Sequence, residues 1–209
     1  MKDRIKKVLK KLNINVKYTV IASEINELPI IGKVDDVWHC AASLSYDWDK
    51  KEETLDTNYY GTRNLLNKVD CKNFYYISTA YMIGKLTGLS EQEKTPTRTV
   101  ENFNNPYEYS KYITEEWLLT QKYRFENLKI FRPSIIVGNS QDYSLNKTDG
   151  GIYNVINFFR LLNRRIDKKI IFPVFDTDIN LIPIDIAVDF MIEKTSVEKH
   201  KKIIYNVVN

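Results

Sequence analysis

The sequence predicts an α/β domain with a doubly wound, mostly parallel sheet covered by helices on both faces. Three observations lead to it. Short apolar runs of strand length alternate with longer stretches of helical periodicity, the pattern of parallel strands joined by helical crossovers. The 209 residues, 43% of them hydrophobic, suit one sizeable core and are short for two full domains. No internal repeat or low-complexity segment competes with that reading.

The elements follow in order. Ile5, Val8, Leu9 and Leu12 recur at helical spacing among lysines and predict a short amphipathic helix. Val16 to Ala22 reads as a first strand, and after a loop through Pro29 and Gly32, Val34 to Ala42 reads as a second that runs into small residues. Small residues there let a flat ligand approach the backbone. A helix is expected from Lys51 to about Lys68, with Leu55, Tyr59, Leu65 and Leu66 turned inward, then a strand over Phe74 to Ser78. The stretch from Gly84 to Asn105 is long enough for a functional loop. Asn105-Pro106 opens the next helix, because proline suits the first helical position. Leu128 to Arg132 is a strand, Asn139 to Gly151 a polar loop and Ile152 to about Arg164 a helix. A short strand at Ile170 to Phe172, a helix from Ile184 to Lys194 and a last strand at Ile203 to Val208 complete the chain.

Composition narrows the function classes. The formal charge of +4 is small against 31 basic and 27 acidic residues. The basic clusters Lys2 to Lys11 and Arg164 to Lys169 read as solvated faces, without the interleaved aromatics of a single-strand binder. No nucleic-acid partner is expected. Cys40 and Cys71 have neither metal-site spacing nor a disulfide framework, so both are expected to be reduced and partly buried. His39 and His200 make no cluster with them, and no zinc site is expected. The chain lacks an apolar run of membrane-spanning length and a signal-peptide core, so no membrane span and a cytoplasmic location are the expectations.

Tyr107-Glu108-Tyr109-Ser110-Lys111 carries the chemistry. It follows 28 residues (107 − 79) after Ser78-Thr79, which closes the run Phe74 to Ile77. A tyrosine hydroxyl titrates near ~10 and exchanges protons at neutral pH only where a cation stabilises its phenolate. On a helix, Lys111 shares a face with Tyr107 and supplies that cation, while Thr79 reaches the site from a strand end. The spacing alone is weak, since Tyr46/Lys50, Tyr81/Lys85 and Tyr143/Lys147 repeat it. The helix entry before Tyr107 and the partner at Thr79 set it apart.

The order of motifs resembles the extended short-chain dehydrogenase/reductase family, in its fatty acyl-CoA reductase and thioester reductase branch with male-sterility-like NAD-binding domains. Six segments carry the resemblance: Val37 to Ser43, Asn58 to Leu66, Tyr76 to Tyr81, Tyr107 to Lys111, Arg132 to Gly138 and Ile182 to Asp189. It implies Thr79, Tyr107 and Lys111 as catalytic residues. Cys40, Ala41 and Ala42 would line the adenosine side of the cofactor, and Pro133-Ser134 would pass the nicotinamide. Lys111 would lower the Tyr107 pKa and hold the nicotinamide ribose, and Ser78 is a lesser cofactor contact. Asn58 and Gly61-Thr62 would support the site, Arg132 would hold local structure, and Asp185 would be a cap or loop anchor.

The resemblance also implies NADP or NAD as cofactor, and an acyl thioester or aldehyde as substrate, with an acyl carrier as a possible partner. Hydride transfer to the carbonyl carbon would be the reaction. One departure bears on this. The seven glycines never form the Gly-rich turn that opens a dinucleotide-binding unit. The first expected strand, with Ser23-Glu24-Ile25 after it, resembles the third strand of the family and the acidic residue that approaches adenine. Residues 1–209 therefore read as a single truncated NAD(P)-binding domain, a partial Rossmann-like sheet lacking the first βαβ unit, and as incomplete for activity alone. The competing readings are a nucleotide-sugar epimerase or dehydratase and a noncatalytic fragment.

Overall fold

The computed structural model describes residues 2–86, 97–144, 151–165, 179–196 and 203–209. Four parallel strands, β1 (Gly32–His39), β2 (Val69–Ile77), β3 (Asn127–Pro133) and β6 (Ile204–Val207), form a sheet in the order β1-β2-β3-β6. Beside it, β4 (Ile135–Val137) pairs in parallel with β5 (Leu181–Pro183). The helices are α1 (Lys2–Lys11), α2 (Lys51–Leu55), α3 (Gly61–Lys68), α4 (Pro106–Thr120), α5 (Ile152–Arg165) and α6 (Ile184–Thr195).

Side-chain alternation along the strands divides the core in two. Phe74 and Tyr76 on β2, with Leu128 and Ile130 on β3, pack against Leu66 of α3 and Leu118 of α4. Tyr75, Phe131 and Tyr205 point the other way and meet Ala187 and Met191 of α6. The sheet is thus covered on both faces, in keeping with the near-continuous burial along β3. Register places the carboxyl ends of the strands along one edge: His39 lies beside Tyr76, Ile77 beside Phe131, and Pro133 beside Val207. In open α/β sheets the ligand crevice lies outside those ends.

Three sequence-based expectations change. Val16 to Ala22 is extended but forms no strand, because ladder bonds need a neighbour and none lies alongside among the described residues. Val16, Tyr18 and Ile21 are correspondingly exposed. Lys51 to Lys68 is helical throughout but not as one α-helix, since a π turn over Asp56–Tyr60 separates α2 from α3 and only Leu66 of the four expected core residues is fully buried. Strand β2 begins at Val69, five residues before Phe74, so Cys71 lies inside it, buried and free, while Cys40 is exposed just beyond β1. The strand expected at Ile170 to Phe172 lies outside the described residues. The remaining expected helices and strands match their positions to within a few residues, while the short pair β4 and β5 was not expected.

Phe74 is fully buried and stacks on Phe125 at 5.4 Å between ring centroids. Phe74→Ala should destabilise the domain by about 3–5 kcal/mol, the scale for emptying an aromatic site in a packed core. Urea denaturation followed by circular dichroism would measure it.

Candidate active site

Helix α4 starts where its capping residues dictate. The Asn105 side chain accepts a hydrogen bond from the Glu108 N–H at 2.9 Å, and Pro106 occupies the first turn without wasting a donor. The Glu108 carboxylate in turn accepts from the Asn104 N–H at 2.9 Å. This entry puts Tyr107 in the first turn and Lys111 one turn later, both facing the end of β2. There Thr79 caps a short 3-10 turn over Ala80–Ile83, its hydroxyl accepting from the Tyr81 N–H at 3.2 Å. Gly84 ends the turn at φ +63°, where a Cβ would lie 2.3 Å from the Asn102 carbonyl oxygen, so backbone conformation and space both call for glycine.

Thr79, Tyr107 and Lys111 converge. The Thr79 hydroxyl lies near enough to the Tyr107 phenol to pull its pKa down. Lys111 is 2% exposed; its ammonium donates to the Ile77 carbonyl at 2.7 Å, lies 4.6 Å from the Tyr76 ring centroid and 5.8 Å from that of Tyr107. Burial pushes the Lys111 pKa down to about 8, against the opposing pull of Glu115 and Cys40. Tyr107 is pushed up to about 12, chiefly by burial and then by the neighbouring Tyr46, against the pull of the Thr79 hydroxyl. The depression of Tyr107 expected from Lys111 is therefore not what the resting site shows. The ammonium is turned to a carbonyl, and desolvation dominates the phenol. Tyr107 holds its proton at neutral pH and can give it to a developing oxyanion.

Three further groups hold this constellation. At the middle of the π turn, Asn58 is 1% exposed; it accepts from the Ser43 N–H at 2.7 Å and donates to the Ser43 carbonyl at 3.0 Å and the Ser110 hydroxyl at 2.8 Å. It thereby ties the loop after β1 to α4, and π turns recur where a helix must aim a side chain at a site. His39, at the end of β1, contacts the Thr62 hydroxyl at 2.8 Å. Its pKa falls to about 3, by burial first and the Lys111 charge second, so the imidazole is neutral. The guanidinium of Arg132 donates from Nη2 to Glu115 Oε2 at 2.6 Å and from Nε to both carboxylate oxygens, and the other end of Glu115 accepts from the Ser78 hydroxyl. Sequence reasoning passed over Glu115. Its place four residues after Lys111, in line with an arginine on a buried strand, was the available signal.

The remaining candidates sit along the same strand ends. Cys40 and Ala41 are exposed after β1, with Ala42 partly buried beside them. The Ser78 hydroxyl is engaged by Glu115, and its N–H donates to the Phe131 carbonyl at 2.7 Å. Pro133 ends β3, and the buried Ser134 hydroxyl has no hydrogen-bond partner among the described residues. Asp185 is a loop anchor, accepting from the Ser140 N–H at 2.9 Å and its hydroxyl at 2.6 Å. Glu24, the acidic residue expected near adenine, is exposed. Of the two loops from Gly84 to Asn105 and from Asn139 to Gly151, the described residues 97–105 lead into α4 and residues 139–144 follow β4. The rest of both loops lies outside the described residues.

The male sterility protein family model, of NAD-binding type, matches residues 17–191. The chain belongs to this family. It is an NAD-binding domain of the extended short-chain dehydrogenase/reductase type. No curated protein sequence matches it. Among solved structures, it is similar to the terminal R domain of the myxalamid PKS-NRPS biosynthetic pathway, with 21% identity and a TM-score of 0.66 over 82% of this chain and 42% of that one. It is also similar to RMD from Pseudomonas aeruginosa complexed with NADPH, at 20% identity and TM-score 0.59 over 83% and 60% of the two chains. UDP-glucuronic acid 4-epimerase from Bacillus cereus, solved with a fluorinated sugar nucleotide and NAD, shares 16% identity and a TM-score of 0.68 over 100% and 64%. At these identities the likeness shows the fold, and the chain spans less than two thirds of each of the three.

The site suits one end of such a cofactor. The Lys111 ammonium is a donor close to Tyr107, Ser134 directly follows the end of β3, and small residues follow β1. For the pyrophosphate there is no counterpart, because no glycine-rich turn exists in the sequence to present backbone N–H groups at a helix start.

Neutral His39 links stability to acid. Its folded pKa lies below the unfolded value of 6.5, so its contribution is complete above about pH 6.5 and is lost as pH falls towards about 3. His39→Gln should flatten this limb in thermal melts recorded from pH 7 to pH 4.

Proposed function

We propose that this chain supplies the carbonyl-reducing site of an NAD(P)H-dependent reductase acting on an acyl thioester or aldehyde. The observation that carries the reading is the joined trio of Thr79, a Tyr107 that keeps its proton, and a buried Lys111 at the carboxyl end of β2. Bound cofactor supplies the hydride. Tyr107 and Thr79 hold the substrate oxygen, and Tyr107 releases its proton to that oxygen as negative charge develops. Lys111, held by the Ile77 carbonyl, keeps positive charge beside Tyr107 and is placed to meet a ribose hydroxyl. Ser134 and the Ala41-Ala42 segment bound the space for the cofactor. An acyl group presented on a carrier is compatible with a crevice open at the strand ends. A reducing, cytoplasmic setting agrees with two free cysteines.

The pyrophosphate cradle comes, on this reading, from a Gly-rich strand-turn-helix unit added along the free edge of β1, in the same polypeptide or a second one. Among the described residues no strand pairs with that edge, and Trp38 on β1 is 41% exposed although its ring lies 4.7 Å from Tyr75 and 6.0 Å from Phe131. A parallel sheet is normally covered at such a place.

Calorimetry with NADPH and NADH tests the reading. Micromolar binding that is lost in Lys111→Ala is expected once the cradle is present, and absence of binding at millimolar cofactor in that complete form would overturn it. In the active form, Tyr107→Phe should lower turnover of an acyl thioester by about 10²- to 10⁴-fold with the fold intact. Full turnover in this variant would sink the assignment of Tyr107, and turnover of sugar nucleotides with none of thioesters would sink that of the substrate.

A further inference from the structure

Glu115 and Arg132 form an ion pair between α4 and β3 in which the two side chains are 0% and 2% exposed. A buried pair of this kind gives little net stability, since desolvation offsets the attraction. Its geometry does something more specific. One carboxylate oxygen of Glu115 accepts from the Ser78 hydroxyl, and the Ser78 N–H donates to the Phe131 carbonyl at 2.7 Å, so the last residue before Thr79 is held from α4 and from β3 together. One turn earlier on the same helix, Lys111 grips the Ile77 carbonyl. Two successive residues at the tip of β2 are therefore held by two successive turns of α4, and Thr79 follows them directly.

We propose that Glu115 is the positioning residue of the site: through Ser78 it fixes the tip of β2 so that Thr79 meets Tyr107, and its carboxylate keeps the Lys111 ammonium charged. The second part rests on what surrounds Lys111. Cys40 and the neutral His39 face it from the end of β1, the Tyr76 ring and Ile77 carbonyl from β2, and Tyr107 and Glu115 from its own helix; Arg132 on β3 lies behind Glu115. Within that set Glu115 is the fixed negative charge, while the Cys40 thiol is raised by burial. The inference rests on the reading of Tyr107 and Lys111 as reacting groups, but its test does not require activity.

Lysine labelled with ¹³C, with the Lys111 signal assigned by its loss in Lys111→Met, reports the titration directly. Wild type should titrate near pH 8. Glu115→Gln should move the midpoint down by about one pH unit or more, the scale on which one opposite charge acts. Glu115→Asp, which keeps the charge, should restore it, and Glu116→Gln should leave it in place. An unchanged midpoint in folded Glu115→Gln, or an equal shift in Glu116→Gln, would overturn the proposal. Should Glu115→Gln not fold, Ser78→Ala tests the tether alone: the residue 78 amide should exchange with solvent about tenfold faster while those of Phe74 and Tyr76 keep their protection. Unchanged exchange at residue 78 would likewise overturn it. Failure of cofactor to bind would remove the functional reading and leave these results standing, so the two are told apart.

Discussion

An ionised carboxylate and a guanidinium enclosed together between α4 and the sheet constrain most of this site. Neither group survives burial alone, because the interior cannot replace the water each gives up. Together, with the Ser78 hydroxyl completing the carboxylate, they admit one relative placement of α4, β2 and β3. An apolar contact could hold the same elements as firmly but would tolerate sliding. The directional bonds of Arg132 do not, and the site needs a helix turn and a strand end in register.

The parallel sheet supplies the other half of the placement. Hydrogen-bonded register brings the ends of β1, β2 and β3 to one line, so residues distant in sequence meet there without long side chains. Asn58 then connects this line to α4 from the π turn, where the local change of helical repeat turns its amide inward. Thr62 and Thr114 bond main-chain carbonyls one turn back at 2.6 and 2.7 Å, which satisfies two fully buried hydroxyls.

Burial works in one direction across the site: it disfavours charge. Tyr107 keeps its proton, His39 stays neutral and Lys111 is brought to where its charge depends on its neighbours. A protonated phenol and a cation near its titration point are the states that the proposed proton donor and its support require at neutral pH.

The residues themselves determined the fold class and most element positions and singled out Thr79, Tyr107 and Lys111 as candidates, because helical period, strand-length apolar runs and the Asn105-Pro106 entry are local properties of the chain. Local properties also misled. Val16 to Ala22 has the pattern of a strand, but pairing depends on a neighbour that pattern does not reveal. The break of Lys51 to Lys68 at a π turn was equally hidden, since the turn is held in part by bonds from Asn58 to Ser43 and Ser110, residues 15 and 52 positions away. Only tertiary structure decided that Ser78 turns to Glu115, that Glu115 meets Arg132, and that Lys111 faces a carbonyl with its phenol neighbour pushed up to about 12. Desolvation and long-range hydrogen bonds set those outcomes, and both are properties of what packs around a residue rather than of the residue.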